Sequence, residues 1–393
     1  MNHTPNANRL HIGVYGKCNC GKSSLINAIS NQASAIVSDT KGTTTDPVFK
    51  AMEIHPIGPC VLIDTPGFDD TTTLGKLRVD ASEKAADRTD IAIMVFCDTD
   101  FTHEKQWLET FKQKKIPVVA VINKADIIDS EQVKNKILEE LKLNAVTVSA
   151  LDKTGIDDLK EALVRLVPED YEVKSITSHL VNKDDVVLLV MPQDIQAPKG
   201  RLILPQVQTI RDLLDNKCIV VSTTTDQLKI ALSTLKNPPK LIITDSQVFD
   251  VVYKEKPKES VLTSFSALFA RYKGDIDVYV LGAEKIPKLK ETDTVLIAEA
   301  CSHNALDGDI GREKIPAMLR KIAGEKLKVE IVSGVDFPKD LSKYALIIHC
   351  GGCMFNRKYI LSRIEKAKGQ NIPITNYGIA IAKIKGILEK ISY

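Results

Sequence analysis

The chain has 393 residues, which is too long for one ordinary hydrophobic core and indicates two or three domains. Its net charge of +2, with 26% charged residues, gives no reason to expect a nucleic acid or a membrane as an obligatory partner. Eight cysteines are too few for a secreted disulfide framework, and the polar N-terminus contains no export signal, so we expect a cytoplasmic protein with reduced thiols.

Residues 1–170 are predicted to form a first domain, in which short apolar strands alternate with helices. The predicted strands are Leu10–Tyr15, Cys60–Ile63, Ile91–Phe96, Val118–Ile122 and Val146–Val148. Continuous apolar runs of this kind are typical of parallel strands that are buried on both faces of a sheet. The last helix, Asp157–Val167, ends at Pro168, and the charged stretch that reaches Asp185 is predicted to be a linker.

The segment after the first strand, residues 16–23, reads Gly-Lys-Cys-Asn-Cys-Gly-Lys-Ser and matches the phosphate-binding pattern GxxxxGKS. Gly16 and Gly21 allow backbone amides to turn toward the phosphates. Lys22 supplies a positive charge to the β- and γ-phosphates, and the hydroxyl of Ser23 can bind Mg²⁺. Because the segment lies between a strand and an amphipathic helix, a nucleotide-binding loop is favoured over a simple glycine turn; Ser24 is included in the site.

Two further segments are predicted to surround the γ-phosphate and Mg²⁺. Asp64-Thr65-Pro66-Gly67 ends the second strand, which places Asp64 to hold Mg²⁺ through water and the Gly67 amide near the γ-phosphate. The polar segment 42–47, Gly-Thr-Thr-Thr-Asp-Pro, is a candidate switch loop. We assign its Mg²⁺-binding threonine as Thr44, although the sequence does not separate Thr44 from its two neighbours. The predicted catalytic residues are Lys22, Thr44 and Gly67.

The base is predicted to be guanine. Asn123-Lys124-Ala125-Asp126 follows the fourth predicted strand, and Asp126 can accept hydrogen bonds from guanine N1–H and from its exocyclic amine, a pair that adenine lacks. Ser149 and Ala150, after the fifth strand, would complete the base pocket. Four motifs in this order, each at the carboxyl end of a strand, indicate a site for GTP or GDP with Mg²⁺.

One position departs from the Ras-like pattern. The residue after Gly67 is Phe68, where a glutamine would orient the attacking water. Asp69 and Asp70 are nearby carboxylates, but acids in loops are more often merely solvated. We therefore expect slow intrinsic hydrolysis, or stimulation by an ion, a dimer or a partner.

The remainder of the chain repeats the alternation of strands and helices. Residues 171–265 contain the predicted strands Val186–Val190, Cys218–Ser222 and Lys240–Thr244 with helices at Val207–Leu214 and Gln227–Leu235. Residues 266–393 contain the predicted strands Thr294–Ala298, Lys328–Val332 and Ala345–His349 with helices near Glu313–Ile322 and Arg357–Lys368. The predicted fold class is α/β: a P-loop GTPase domain followed by two smaller, mostly parallel α/β domains, the first with an exposed sheet edge that dimerisation would cover.

Cysteines and histidines follow two strands of the third domain. Cys301 and His303 come after Thr294–Ala298, while Cys350 and Cys353 come directly after the strand that ends at His349. The carboxyl ends of parallel strands share one edge, so the three thiols are expected to meet. Three thiolates are one ligand short of a 4Fe-4S cluster, and either histidine, a carboxylate, water or an exogenous group could be the fourth ligand. A structural zinc site of three cysteines and one histidine is equally consistent with the spacing.

Taken together, these motifs resemble the FeFe-hydrogenase maturation GTPases, the HydF family. The resemblance is carried by Gly-Thr-Thr-Thr-Asp-Pro, Asp-Thr-Pro-Gly, Cys-x-His and His-Cys-x-x-Cys in this order, and by three further segments: Ala-Pro-Lys-Gly-Arg-Leu-Ile-Leu-Pro-Gln at 197–206, Thr-Asp-Ser-Gln at 244–247 and Leu-Thr-Ser-Phe-Ser at 262–266. It covers nearly the whole chain.

The resemblance implies a GTPase domain (1–170), a dimerisation domain (171–265) and a domain (266–393) that binds a 4Fe-4S cluster through Cys301, Cys350 and Cys353. It further implies a homodimer that serves as scaffold and carrier for the two-iron subcluster, made with two radical-SAM maturases and delivered to apo FeFe-hydrogenase. His303 and His349 match histidines of the family without a fixed role as ligands. The first domain also resembles potassium-responsive tRNA-modification GTPases, in which case Asn19 is the candidate K⁺ ligand.

Two alternatives remain. One is a GTPase of tRNA modification or ribosome assembly, against which the absence of a basic stripe argues. The other is a zinc-stabilised interaction protein with a GTP-dependent switch. The visible absorption of anaerobically purified protein separates them from the cluster carrier, because iron–sulfur clusters absorb there and zinc thiolates do not.

Overall fold

A computed structural model describes residues 5–30, 46–69, 73–168, 175–193, 200, 202–300 and 309–393. The chain divides into two compact units, residues 1–173 and 174–393. None of the helices in the described ranges has the length and apolar character needed to cross a lipid bilayer.

The first unit is a six-stranded sheet with helices on both faces. Its elements are β1 Leu10–Gly16, α1 Lys22–Ser30, β2 Val48–Ile54, β3 Gly58–Asp64, α2 Thr73–Ala86, β4 Ile91–Phe96, α3 Thr102–Gln113, β5 Val118–Ile122, α4 Ser130–Leu141, β6 Ala145–Thr147 and α5 Ile156–Val164. The strand order is β2-β3-β1-β4-β5-β6. All neighbouring strands are parallel except β2, which is antiparallel to β3.

Alternation along the strands builds two cores in this unit. Val14 of β1 packs with Leu25 of α1 and Leu159 of α5 on one face. Its neighbour Tyr15 points to the other face, where it meets Phe111 of α3 with ring centroids 4.8 Å apart. Both faces of the central strands are therefore covered, which confirms the predicted P-loop type of α/β domain.

The second unit contains two four-stranded sheets. Its elements are β7 Val186–Val190, α6 Leu204–Asp215, β8 Ile219–Thr223, α7 Leu228–Thr234, β9 Leu241–Thr244, α8 Phe249–Glu255, β10 Val261–Ser264, α9 Phe265–Lys273, α10 Ile276–Ala283, β11 Thr294–Ala298, α11 Ile315–Ala323, β12 Lys328–Val332, β13 Leu346–His349, α12 Arg357–Gly369, β14 Ile374–Asn376 and α13 Tyr377–Ile384. The strand orders are β10-β9-β7-β8 and β12-β11-β13-β14, and every pairing is parallel.

Each of these sheets has one strand more than the sequence predicted. The additional strands, β10 and β14, are only four and three residues long, and both lie at an edge of their sheet. One continuous apolar core joins the two sheets: it includes Leu188 of β7 and Ile242 of β9 together with Ile297 of β11 and Ile347 of β13. The two predicted domains of this region therefore share a core.

Candidate functional site

The phosphate-binding loop joins β1 to α1 where the strand order reverses between β1 and β4, the usual ligand-binding point of such sheets. Gly21 has a φ of +86°, and an added Cβ would lie 2.3 Å from Nδ2 of Asn123. That Nδ2 donates to the carbonyls of Cys20 (3.0 Å) and Gly21 (3.4 Å), while Oδ1 of Asn123 accepts from the Ala150 amide (3.1 Å). Asn123 thus links the phosphate-binding loop to the predicted base pocket.

Lys22 is buried beneath this loop. Its Nζ donates to the backbone carbonyls of Gly16 (2.9 Å) and Lys17 (2.8 Å). The ammonium is therefore held inside the curve of the loop, where a positive charge serves a phosphate.

Ser23 and Asp64 form the part of the predicted Mg²⁺ site that the structure describes. The Ser23 hydroxyl donates to Oδ2 of Asp64 at 2.5 Å, and Asp64 is 5% exposed. Burial raises the pKa of the Asp64 carboxyl, while the hydroxyl of Ser23 and the charge of Lys22 oppose that shift. Oδ1 of Asp64 is buried without a hydrogen-bond partner. The oxygens of Ser23 and Asp64 are the hard ligands that Mg²⁺ prefers, and the unpartnered Oδ1 of Asp64 could accept a hydrogen bond from a water bound to the ion. Thr44 lies outside the described residues.

The loop after β3 packs on the phosphate-binding loop through Gly67. A Cβ at this position would lie 2.4 Å from Sγ and 2.7 Å from the backbone nitrogen of Cys18, so no larger residue fits. The backbone of Gly67 is thereby held against the loop, consistent with its predicted place beside the terminal phosphate.

Phe68 turns away from this site. It is 4% exposed and stacks on Trp107, with ring centroids 5.7 Å apart and 26° between the ring planes. The same core contains Tyr15 and Phe111. At the position where Ras-like enzymes have a glutamine, this chain therefore has a phenylalanine that packs in the core. The side chain of Phe68 cannot orient the attacking water.

The predicted base pocket is assembled by hydrogen bonds. Oδ1 of Asp126 accepts from the hydroxyl of Ser149 at 2.7 Å. That hydroxyl also lies 3.2 Å from Oδ2 of Asp152 and accepts from the Asp152 amide at 3.1 Å. Asn123, Asp126, Ser149 and Ala150 are thus brought together. Asp152 was missed by the sequence analysis, although an aspartate three residues after a serine is a common sign of such a turn.

A buried acid lies behind the phosphate-binding loop. Nζ of Lys17 turns away from the loop to Asp98 Oδ1 (2.9 Å) and the carbonyl of Asp100 (2.5 Å). Near this ammonium, Glu104 of α3 is 2% exposed, and its Oε2 has no hydrogen-bond partner. Burial raises the pKa of Glu104 to about 7, against the opposing charge of Lys17.

The phosphate-binding loop also contains two thiols to which no chemistry was assigned from sequence. Burial and the bond to Asp69 raise the pKa of Cys18 to about 11. A hydrogen bond from the Cys97 thiol lowers the pKa of Cys20 in spite of burial. Cys20 is completely buried in the first unit, whereas Cys18 is only partly buried.

The thiol site lies at the carboxyl ends of β11 and β13. Ala298 is paired with His349, and the Cys350 amide donates to the Ala298 carbonyl at 3.0 Å. The amide of Ala300 donates to Sγ of Cys350, also at 3.0 Å. The two predicted cysteine-bearing loops therefore meet, since Ala300 is the residue before Cys301. Cys301 and His303 themselves lie outside the described residues.

His349 is completely buried below this loop. Its Nε2 lies 2.9 Å from Nη1 of Arg363, and its Nδ1 lies 2.6 Å from the carbonyl oxygen of Cys350. A guanidinium only donates, so Nε2 accepts, and Nδ1 carries the proton that is donated to Cys350. In this arrangement both ring nitrogens are used within the protein, and neither has a lone pair for a metal.

Three buried polar side chains near the cysteines were not found from sequence. Lys273 donates to the Phe355 carbonyl at 2.8 Å, and burial lowers its pKa to about 8, against the opposing influence of Cys353. Glu299 accepts from Arg312 Nη2 at 2.9 Å. The hydroxyl of Tyr377 is buried without a hydrogen-bond partner. Of these three residues, only Glu299 could have been identified from the sequence, because it is a charged residue directly after an apolar strand. Among the described residues, no three His, Cys, Asp or Glu side chains form a group that could hold a metal ion.

Curated GTPases are similar to part of the chain. The chain is 34% identical over 186 residues to GTPase Der of Wolinella succinogenes, covering 44% of this chain and 39% of that protein. It is 35% identical over 164 residues to the tRNA modification GTPase MnmE of Pseudothermotoga lettingae, covering 41% and 36%. The chain thus spans well under half the length of these relatives. The crystal structure of Era from Aquifex aeolicus matches with a TM-score of 0.37 and 17% identity, over 64% of this chain and 99% of that one.

Three family domains match along the chain in succession. Residues 11–124 match the 50S ribosome-binding GTPase domain, residues 176–274 the Hydrogen maturase F dimerization domain, and residues 277–392 the Hydrogen maturase F tetramerization domain. The last two are oligomerisation domains and together cover more than half of the chain. With the phosphate, magnesium and base motifs in place before them, the chain is a GTPase of the HydF family of hydrogen maturases.

Proposed function

We propose that this GTPase is a scaffold and carrier that assembles the two-iron subcluster and transfers it to apo FeFe-hydrogenase, and that it carries a 4Fe-4S cluster on Cys301, Cys350 and Cys353. The observation that carries the proposal is the 3.0 Å bond from the Ala300 amide to the sulfur of Cys350. It brings the residue before Cys301 into contact with the second cysteine. Amide hydrogen bonds to sulfur are also a common means of tuning a cluster.

The surroundings of the thiols limit which histidine could complete a metal site. Both ring nitrogens of His349 are engaged, so a structural zinc site of three cysteines and one histidine would have to use His303. We infer that His349 orients the Cys350 loop, leaving the fourth position to His303, a carboxylate or an exogenous group. The buried ammonium of Lys273, which interacts electrostatically with Cys353, would offset the negative charge of thiolates.

Three functional regions follow from this proposal: a GTPase region at 1–170, a dimerisation region at 171–265 and a cluster-binding region at 266–393. The proposed partners are two radical-SAM maturases, apo-hydrogenase and further copies of the chain in a homodimer or larger oligomer. The proposed compartment is the cytoplasm. A role in tRNA modification or ribosome assembly is less favoured, because those relatives cover less than half of this chain, whereas residues 176–274 and 277–392 match hydrogen maturase domains.

We also infer that K⁺ assists hydrolysis. Phe68 is packed in the core and does not orient water, and Asn19 is an exposed residue of the phosphate-binding loop with a φ of +58°. Its amide oxygen is available to a monovalent cation beside the phosphates. GTPase rates measured in potassium and sodium buffers, with Asn19→Ala as the variant, test this: equal rates in the two buffers would remove the hypothesis.

Single Cys→Ser variants at 301, 350 and 353, purified and reconstituted anaerobically, test the cluster. Each should lose most of its iron and visible absorption and should fail to mature hydrogenase in the presence of the two maturases. GTPase turnover should stay within about twofold, because the nucleotide site belongs to a separate unit. A triple variant that keeps a full complement of iron contradicts the proposal, and zinc bound by the wild type in place of iron favours the structural alternative.

His349→Ala tests the orienting role. We expect the reduced cluster of this variant to keep the line shape of its electron paramagnetic resonance spectrum, with a lower yield of bound iron. A changed line shape would identify His349 as a ligand after all. His303→Ala is the matched variant, whose spectrum reports on the other histidine.

A further inference from the structure

An aspartate outside the nucleotide motifs is bound to the phosphate-binding loop. Oδ1 of Asp69 accepts a hydrogen bond of 2.6 Å from the backbone amide of Cys18. Cys18 is the third residue of the loop, and it is also the residue against which Gly67 packs. The carboxylate of Asp69 therefore lies at the end of the loop that Gly67 borders, which is where the terminal phosphate is expected.

The charge of Asp69 matches that position. Burial opposes its ionisation, but hydrogen bonds from the amide and thiol of Cys18 and the positive charge of Lys22 lower the pKa of Asp69 below its usual value. Asp69 is thus an anion that is bound by a loop amide and stabilised by the charge of the loop lysine. These are the two kinds of group with which such loops bind phosphate oxygens.

A γ-phosphate and this carboxylate cannot share the position. Both are anions, and like charges at close range repel each other. The backbone amides of such loops bind phosphate oxygens, and the Cys18 amide is already bound to Asp69. GDP has no group at that point and leaves the bond between Asp69 and Cys18 undisturbed. The neighbouring Phe68 is fixed in the core against Trp107, so a displacement of Asp69 does not require Phe68 to move.

We propose that Asp69 makes the site discriminate between GDP and GTP: its carboxylate competes with the γ-phosphate for the Cys18 amide. Bound GTP displaces Asp69 from the phosphate-binding loop, and after hydrolysis and release of phosphate Asp69 binds the amide again. The residue therefore lowers the affinity for the triphosphate selectively.

Equilibrium binding of GDP and of a non-hydrolysable GTP analogue to the full chain tests this proposal. Asp69→Ala should tighten binding of the analogue by about tenfold, a usual size for coupling between competing states, and leave GDP affinity within about twofold. Asp69→Asn keeps an oxygen for the Cys18 amide but loses the charge. It should therefore also raise the ratio of analogue affinity to GDP affinity, but by a smaller factor. Asp157→Asn is the charge-matched control, because Asp157 is exposed on α5 and pairs only with Lys160 among the contacts described.

Each other outcome overturns the proposal. An equal change in affinity for both nucleotides would make Asp69 a general support of the loop. Weaker binding of the analogue would mean that Asp69 assists the γ-phosphate or its Mg²⁺. Unchanged affinities with a large fall in turnover would make Asp69 part of the hydrolytic machinery. Thermal unfolding of the Asp69→Ala and Asp69→Asn variants shows whether either has lost its fold. If Asp69→Ala is unfolded, the proposal is judged by the ratio of analogue affinity to GDP affinity in Asp69→Asn.

Discussion

The nucleotide site and the thiol site both lie at the carboxyl ends of parallel strands, but they are held together differently. In the nucleotide site, Asn123 accepts from the backbone amide of Ala150, and side chains bind one another in the pairs Ser23 with Asp64 and Ser149 with Asp126. In the described part of the thiol site, the sulfur of Cys350 is bound by the amide of Ala300. The first arrangement is preorganised by the protein, whereas a metal site commonly gains its final order from the metal.

This difference has a practical consequence. In a preorganised site, each side chain has one identifiable role, and its removal should affect one step of binding or turnover. A site that a metal completes should lose its function as a whole when any one ligand is removed. Substitutions in the first unit test the expectation for a preorganised site, and the Cys→Ser variants test the expectation for a site that a metal completes.

Lys22→Ala should reduce GTP turnover by at least about 100-fold, because the ammonium held inside the loop is lost as a partner of the phosphates. Lys17→Ala is the contrasting variant in the same loop. Its ammonium is directed to Asp98 and Asp100, so turnover should fall by no more than about threefold. Similar losses in both variants, measured by phosphate release, would mean that position within the loop does not determine the role of a lysine.

Asp126→Asn should weaken GTP binding by about 100-fold and improve tolerance of xanthosine triphosphate, whose carbonyl can accept from the new amide. Ser149 still has Asp152 as a hydrogen-bond partner in this variant, so the fold of the pocket should survive. Competition binding with the two nucleotides measures the switch. An unchanged preference for GTP would show that the base is recognised elsewhere.

Phe68→Ala should lower the free energy of unfolding of the first unit by about 3 kcal/mol, the usual cost of removing a buried phenylalanine. Turnover should change by only a few fold, and Phe68→Gln should not accelerate hydrolysis, because the side chain points into the core beside Trp107. Chemical denaturation and phosphate release provide the two measurements. Faster hydrolysis by Phe68→Gln would place this side chain at the attacking water.

Glu104→Gln should stabilise the first unit most at alkaline pH. The pKa of Glu104 is raised to about 7 in the folded chain. As the pH rises from about 4.5, the unfolded chain loses this proton first, and stability falls until the folded pKa is passed. The glutamine removes that loss, so the gain should be small near pH 5 and about 1 kcal/mol at pH 8. A gain that does not depend on pH would exclude titration of Glu104 as its cause.

Local sequence patterns were sufficient for much of this protein. The buried strands β1, β4, β5 and β11 were predicted to within a residue, because a continuous apolar run must be covered on both faces. The nucleotide motifs and their order could also be identified from the sequence, because binding of phosphate, Mg²⁺ and guanine each requires particular residue types. Strand β2 was missed because it is a partly exposed edge strand, and β10 and β14 because short segments carry little periodicity.

The tertiary structure decided which way individual side chains point and what they meet. Phe68 packs on Trp107, Asp69 binds the Cys18 amide, and His349 is held by Arg363, a residue 14 positions away in the chain. None of these pairings follows from spacing, because each depends on how separate elements pack against one another. By itself, the sequence determined which chemical groups stand at the ends of the strands; packing between distant segments determined which of those groups are free to act on a ligand.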